Sequence, residues 1–147
     1  MQHNDIHNAA APSLWRRLAA IFYDCWLVAA IWLLGAGADT AIRAAAGIGA
    51  AGSYLPLQLY LLVSPLIFFS WFWTHGGQTL GMRAWRLRLL ASDGAPVTLR
   101  QSLIRLAAAV PSLLVVGMGY AWILFSRDGL AWHDRWSGTR LVIVDRH

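Results

Sequence analysis

Residues 18–38 read LAAIFYDCWLVAAIWLLGAGA, an apolar stretch in which Asp24 is the only charged residue. About 20 apolar residues are enough for a helix to cross the hydrocarbon core of a bilayer. A lone carboxylate near the centre of such a helix costs roughly 2.5 to 3.5 kcal/mol, so it is kept where a partner or a task compensates for its burial. We therefore expect an integral membrane protein with a polar interior site at Asp24.

The composition agrees with a membrane protein. Hydrophobic residues make up 58% of the 147 residues and charged residues only 13%, against about 25% charged residues in an ordinary globular domain. Two further windows, 44–82 and 106–126, are nearly free of charge. The length fits one domain, so we expect residues 1–12 to form a flexible tail and residues 13–147 a single transmembrane domain.

The first two apolar windows predict two helices. Ser13 is the expected N-cap of the first helix, which should end at about Gly35 and be followed by a loop or a short interfacial helix over 35–53. The second helix should cover 55–73, with a kink at Pro65 and with Gln58 facing protein. A cleaved signal peptide is the alternative for the first helix, but its apolar run is longer than the usual 7 to 15 residues or so.

Two short segments predict strands. Between Met82 and Leu90, apolar residues alternate with Arg86 and Arg88, and a turn signal follows at Asp93 and Gly94. Residues 139–144, TRLVIV, form a second β-prone run. A lone strand is unstable, so we expect the two runs to pair as a small sheet against the membrane face.

The third apolar segment, residues 103–126, is interrupted by Pro111, Gly117 and Gly119. It could be one broken transmembrane helix or a re-entrant hairpin. A single crossing would put the arginine clusters on opposite sides and keep the two strands apart, whereas a hairpin keeps every cluster cytoplasmic, so the hairpin is favoured. The predicted fold is an all-α membrane protein with three apolar helical segments and a two-stranded element at the cytoplasmic face.

The charge pattern points to lipid as the partner. All 12 basic residues are arginines, the net charge is +5, and the arginines cluster at the ends of apolar segments. Anionic headgroups and the positive-inside rule account for that distribution better than nucleic acid does, and they predict a cytoplasmic N-terminus in an inner membrane. The single cysteine, Cys25, excludes an intrachain disulfide.

The buried Asp24 needs a hydrogen-bond donor. Arg17 lies two helical turns before it on the same face, at roughly 10 Å along the axis, which is too far for a direct salt bridge. Arg105, the charge that opens the third segment, is the expected partner, and Gln58 and Gln78 are the neutral candidates.

Several motifs in order carry a resemblance to a known family. They are WRRLAAIFYD in the first helix, GGQTLGMRAWRLRLL followed by DG, an arginine before the last apolar segment, and HDRWSGTRLVIV near the end. This pattern resembles the RDD family of small bacterial membrane proteins, named for one arginine and two aspartates. The resemblance implies that these are Arg17, Asp24 and Asp134, and it implies a membrane location, with transport of an unidentified ligand or ion the usual suggestion. Met82 departs from the family pattern, which often has lysine there.

Each of these residues also has a structural interpretation. Asp24 fits a helix-packing hydrogen bond as well as a titrating site. Arg17 is expected to be an interfacial anchor, Asp134 to hold a turn before the second strand, and His133 to lie on the surface of that turn, although it could titrate near neutral pH.

Nothing in the sequence predicts an enzyme, a metal site or a cofactor. The glycines at 47, 49 and 52 spell a dinucleotide fingerprint but lack the strand and helix that the motif requires, and GGQTLG lacks the Lys-Ser/Thr ending of a phosphate loop. The leading expectation is transport or binding of an ion or small ligand at the Arg/Asp site, within a homo-oligomer or with a partner membrane protein. The alternative is a non-transporting scaffold or accessory subunit in which the buried polar residues specify helix packing.

Overall fold

The computed structural model describes residues 12–48, 52–114 and 132–144. Its elements in chain order are the following: α1 Leu14–Ala45, α2 Leu55–Thr74, α3 Leu80–Ala84, β1 Leu87–Ala91, α4 Leu99–Leu114, α5 Trp132–Ser137 and β2 Thr139–Ile143. The expected mixture of apolar helices and a small two-stranded sheet is therefore confirmed for the part of the chain that the structure describes.

Helices α1 and α2 form an antiparallel hairpin. Both are long and apolar enough to cross a membrane, and most of their side chains are exposed at the protein surface, as lipid-facing residues are. The indole of Trp32 donates to the carbonyl of Leu61 at 3.0 Å, and the hydroxyl of Tyr60 donates to the carbonyl of Ile31 at 2.8 Å. Pro65 lies inside α2, which continues to Thr74.

Helix α1 is longer than its sequence suggested. It begins at Leu14, after Ser13 as expected, but it runs past Gly35 to Ala45, so the predicted end at Gly35 is wrong. Alanine favours helix through this stretch, and the Arg43 and Asp39 side chains form an i,i+4 ion pair at 2.7 Å. Gly35 fits because a Cβ there would lie 2.0 Å from the Tyr60 ring.

The first strand begins later than the alternation predicted. Residues from Leu80 to Ala84 form the short helix α3, and Arg86 takes a positive φ of 56°, so regular extended backbone starts only at Leu87. The strand β1 pairs antiparallel with β2, with Leu89 opposite Leu141. The predicted pairing of the two runs is therefore confirmed, whereas a strand start at Met82 is wrong.

The core lies where the ends of the two long helices meet the sheet. Its buried members come from α1, α2, α3, both strands and the loop before α4, and they are Ala20, Trp73, Met82, Leu87, Leu89, Val97 and Leu141. One face of the sheet is thus packed against the helical hairpin, as an amphipathic two-stranded element requires. We call the sheet, α3 and α5 together the cap.

Helix α4 opens the third apolar segment. Thr98 and Gln101 form a capping box, because the backbone N–H of each residue donates to the side-chain oxygen of the other, at 3.0 and 3.3 Å. The hydroxyl of Ser102 donates to that of Ser70 at 3.2 Å, which joins α4 to α2. Residues 115–131 lie outside the described part of the chain, so the choice between one span and a hairpin falls largely there, and a third apolar spanning helix is not shown.

Candidate functional site

Asp24 is held by the cap. Its side chain is buried, with 3% of the residue exposed, and each carboxylate oxygen accepts one hydrogen bond. The hydroxyl of Thr79 donates to Oδ2 at 2.5 Å, and the backbone N–H of Gly81 donates to Oδ1 at 2.9 Å. The expectation that Arg105, Gln58 or Gln78 supplies the donor is therefore wrong.

Thr79 can serve Asp24 because it is the N-cap of α3. Its Oγ1 accepts a hydrogen bond from the backbone N–H of Met82 at 3.1 Å while its proton points to Asp24. Gly81 permits the close approach of α3 to α1, since a Cβ at position 81 would lie 2.3 Å from the carbonyl oxygen of Ala20. The carboxylate thus bonds directly to the first turn of α3.

The rest of the GGQTLG segment connects to β1. Gly77 has a positive φ of 72°, and its carbonyl accepts from the N–H of Leu89 at 2.7 Å. The Gln78 side chain donates to the carbonyl of Leu87 at 2.7 Å. This segment therefore joins the middle of α1 to β1.

Gln58, in contrast, is exposed on α2, so the expectation that it faces protein is wrong.

A second buried cluster is centred on Asp134. Arg17 donates to Oδ2 at 2.7 Å, and Arg105 donates to Oδ1 of the same carboxylate. Arg105 also donates to the Thr139 hydroxyl at 2.9 Å, and Arg17 donates to the Pro12 carbonyl at 3.3 Å. Arg17 is thus a buried ion-pair partner and not an interfacial anchor. Asp134 does more than hold a turn, because it links α1, α4 and α5.

His133 belongs to the same cluster and is buried, so the expected surface position is wrong. Burial and the nearby guanidinium of Arg105 lower the pKa of His133 to about 3, although Asp134 opposes that shift. Burial alone would raise the pKa of Asp134, but the positive charges of Arg105 and Arg17 outweigh it, so the pKa of Asp134 is lowered. At neutral pH the imidazole is therefore neutral and the carboxylate is ionised.

The two clusters can hold elements together, and they do so at different places on α1. Asp24 joins α1 to α3, and Arg17 joins α1 to α5, while Arg105 stacks over the Trp73 ring of α2 at 5.2 Å. Within residues 12–48, 52–114 and 132–144, no group of three His, Cys, Asp or Glu residues could hold a metal ion.

Thr79 and Gly81 are not among the residues that the sequence predicted as donors to Asp24. A threonine followed by a short helical turn is an N-cap signal, and glycine two residues later marks a place where backbones approach closely. Neither signal identifies Asp24 as the partner, because that contact joins residues 55 and 57 positions apart in the chain.

Comparison with known proteins identifies a family for the chain. No curated protein and no solved structure matches the chain. The family model described as RDD family matches residues 11–138, which is most of the chain and includes Arg17, Asp24 and Asp134. The three residues expected from the resemblance thus lie in two buried clusters, where both aspartates accept hydrogen bonds from other elements. The chain belongs to the RDD family.

Proposed function

We propose that this protein is a non-enzymatic membrane scaffold, in which buried polar clusters fix the cap to a helical hairpin and present it to a partner membrane protein or a second copy. The observation that carries the proposal is the hydrogen bonding of Asp24. Both of its oxygens accept from groups of the same chain, and 3% of the residue is exposed. A transported cation would have to displace those donors, so the carboxylate is better suited to packing.

The Asp134 cluster supports the same role. A buried carboxylate between two guanidinium groups is strongly destabilised when one partner is removed, and such groups can specify one packing arrangement among several. Here they join α1, α4 and α5 and reach Thr139 at the start of β2. The cluster therefore fixes where the cap lies on the hairpin.

The charge distribution supports an orientation in a bacterial inner membrane in which the cap lies on the cytoplasmic side. Exposed arginines lie on the cap or beside it, at the end of the hairpin where α1 begins and α2 ends: Arg16, Arg83, Arg86, Arg100 and Arg135. At the opposite end of the hairpin, among the described residues, Arg43 is paired with Asp39. The positive-inside rule then favours a multi-pass protein with a cytoplasmic N-terminus.

The strand pairing supports a cap whose two strands share one side of the membrane. The strands β1 and β2 are hydrogen-bonded along their length, and Arg105 contacts Asp134. A single crossing between Arg105 and Asp134 would separate these partners by the thickness of the ~30 Å hydrocarbon core. The hairpin alternative for residues 103–126 therefore remains the one we propose.

Transport of an ion or small ligand is the second candidate. The observation that favours it is the burial of four ionisable side chains, Arg17, Arg105, His133 and Asp134, at one end of a membrane hairpin. Buried ionisable groups with shifted pKa values cluster at functional sites, which makes this cluster a candidate. On this alternative, Arg17 and Asp134 would part to admit the ligand.

Reconstitution separates the two candidates. The purified protein and its Asp24→Asn variant are placed in liposomes, and proton, sodium, potassium and chloride fluxes are measured alongside thermal unfolding. A scaffold predicts fluxes equal to those of empty liposomes for both proteins and a lower unfolding temperature for Asp24→Asn. A wild-type flux above that of empty liposomes would overturn the scaffold proposal and establish transport.

A further inference from the structure

We propose that a groove beside the last two turns of α2 holds one acyl chain of an anionic phospholipid. The groove has a volume of about 590 Å³ and lies between α2 and the start of α4. Its lining residues are Ile67, Ser70, Trp71, Thr74, His75, Val97, Thr98 and Leu99. We call it the α2–α4 groove, and its size is in the range of pockets that bind small molecules.

The groove has an apolar end and a polar end. Ile67 lies two helical turns before His75, which is roughly 12 Å along the axis. Near Ile67 the lining is aliphatic and aromatic, whereas Thr74, His75 and Thr98 lie at the end where α2 leaves its apolar stretch. A phospholipid has the same order of chemistry, from acyl chain to ester and phosphate.

The groove also opens onto the surface that lipid covers. Ile67 and Trp71 are 63% and 59% exposed on a helix that is apolar enough to cross a membrane. An acyl chain can therefore enter from the bilayer without crossing water, and burying its methylenes against Trp71 and Leu99 is favourable. The hydrogen bond between Ser70 and Ser102 joins the two helices that flank the groove.

Charge complementarity selects an anionic headgroup. Arg100 follows Leu99 directly and is exposed, and the cap carries further exposed arginines, including Arg83 and Arg86. Exposed arginines at the membrane surface attract anionic lipids by about 1 kcal/mol each. His75, stacked on Trp71 with ring centroids 4.0 Å apart, lines the polar end.

Photolabelling in nanodiscs tests this proposal. The probes are phosphatidylglycerol and phosphatidylcholine that carry a diazirine on one acyl chain, each present at the same fraction in a phosphatidylcholine bilayer. Labelling of Trp71 and Leu99, two exposed apolar residues that line the groove, is read by mass spectrometry and divided by that of Leu33 and Leu34, which are exposed on α1. We expect a higher ratio from phosphatidylglycerol than from phosphatidylcholine.

A matched pair of variants identifies the groove. Ile67→Trp fills it, whereas Leu62→Trp adds the same side chain to an equally exposed position of α2 outside it. We expect Ile67→Trp to lower the ratio from phosphatidylglycerol by about fivefold or more, since it displaces several methylenes of the acyl chain, and Leu62→Trp to leave it unchanged. Equal ratios from the two lipids, equal ratios in the two variants, or unlabelled Trp71 and Leu99 because a second copy covers the groove would each overturn the proposal.

Discussion

Gly81 shows how closely the cap approaches α1. A Cβ at this position would lie 2.3 Å from the backbone oxygen of Ala20 and 2.9 Å from Cγ of Asp24. Neither neighbour can move without displacing a helix or a buried carboxylate. Whether α3 can bond to Asp24 therefore depends on the absence of a Cβ at position 81.

We predict that Gly81→Ala destabilises the protein by about 1 to 3 kcal/mol, as overpacking of a close contact does. Thermal unfolding in detergent measures the change. Gly37→Ala is the matched control, because a Cβ there meets nothing within 4 Å and alanine is the better helix former. Equal unfolding temperatures for Gly81→Ala and the wild type would contradict the close approach.

His133 gives the cluster a dependence on pH. Its pKa is lowered from 6.5 to about 3 in the folded protein, so the unfolded chain binds a proton first as the pH falls. Stability is therefore complete above about pH 6.5 and is lost progressively as the pH falls toward 3. The lowered pKa of Asp134 adds a further loss, but only at pH values below its usual 3.8.

We predict that His133→Gln removes about 2 kcal/mol of the stability difference between pH 7 and pH 5, which corresponds to the titration of one group. The measurement is the unfolding free energy at a series of pH values, each relative to that variant's own value at pH 7. His75→Gln, which replaces an exposed histidine outside the cluster, serves as the matched control for the loss of one imidazole. If the unfolding free energy fell with pH equally steeply in His133→Gln and the wild type, the buried imidazole would not be the cause of the loss of stability in acid.

At the scale of elements, Asp134 is the point where α1, α4 and α5 meet. Arg17 comes from the start of α1 and Arg105 from α4, and both donate to the one carboxylate of α5. Removing that charge would leave two buried guanidinium groups facing each other. Breaking a buried ion pair by removing one partner typically costs about 3 to 5 kcal/mol.

We accordingly predict that Asp134→Asn destabilises the protein by several kcal/mol, on the order of 3 to 5. The comparison is Asp39→Asn, which breaks a half-buried i,i+4 pair on α1 and should cost about 0.5 to 1 kcal/mol. Unfolding in detergent at pH 7 gives both values. Similar losses in the two variants would contradict the linking role of Asp134.

The elements also differ in how far the sequence predicted them. The length of the apolar run predicted α2, and the β-prone composition and alternation of short segments predicted both strands, because those signals are local in the sequence. The predicted end of α1 at about Gly35 is wrong because Gly35 packs against Tyr60 and the pair of Asp39 and Arg43 supports the helix beyond it. In the site, the sequence identifies Arg17, Asp24, Arg105 and Asp134 as polar candidates. It predicts neither their pairing nor the burial of Arg17, because partners distant in the chain are set by the tertiary packing.

At the scale of the whole molecule, one side of the protein carries the cap and the exposed arginines. The opposite end of the hairpin is the connection between α1 and α2, where Arg43 also lies over the Tyr54 ring at 4.1 Å. This asymmetry predicts a single orientation in the membrane. Residues before α1, on α3 or β1, and on α5 should then all be on the same side.

We predict that single cysteines at Arg16, Arg86 and Arg135 share one accessibility and that a cysteine at Ala46 has the opposite one. Each replaces an exposed residue in a Cys25→Ala background. In right-side-out bacterial vesicles, a membrane-impermeant maleimide should label only the cysteine at Ala46, and the other three should react after lysis. Labelling of Arg135→Cys in intact vesicles, with Arg16→Cys protected, would contradict the shared side.

The central claim is that Asp24 acts as a structural acceptor for the cap, and a double-mutant cycle between Asp24→Asn and Thr79→Val tests it most directly. Unfolding free energies are measured in detergent for the wild type, both single variants and the double variant. Since the hydroxyl bonds to the carboxylate at 2.5 Å, each single change should cost about 1.5 to 3 kcal/mol, and the double variant should lose at least about 1 kcal/mol less than the sum. Asp24→Asn combined with Thr40→Val, whose hydroxyl bonds to Ala36 elsewhere on α1, should be additive. Additivity within about 0.5 kcal/mol for Asp24 and Thr79 as well would contradict the account.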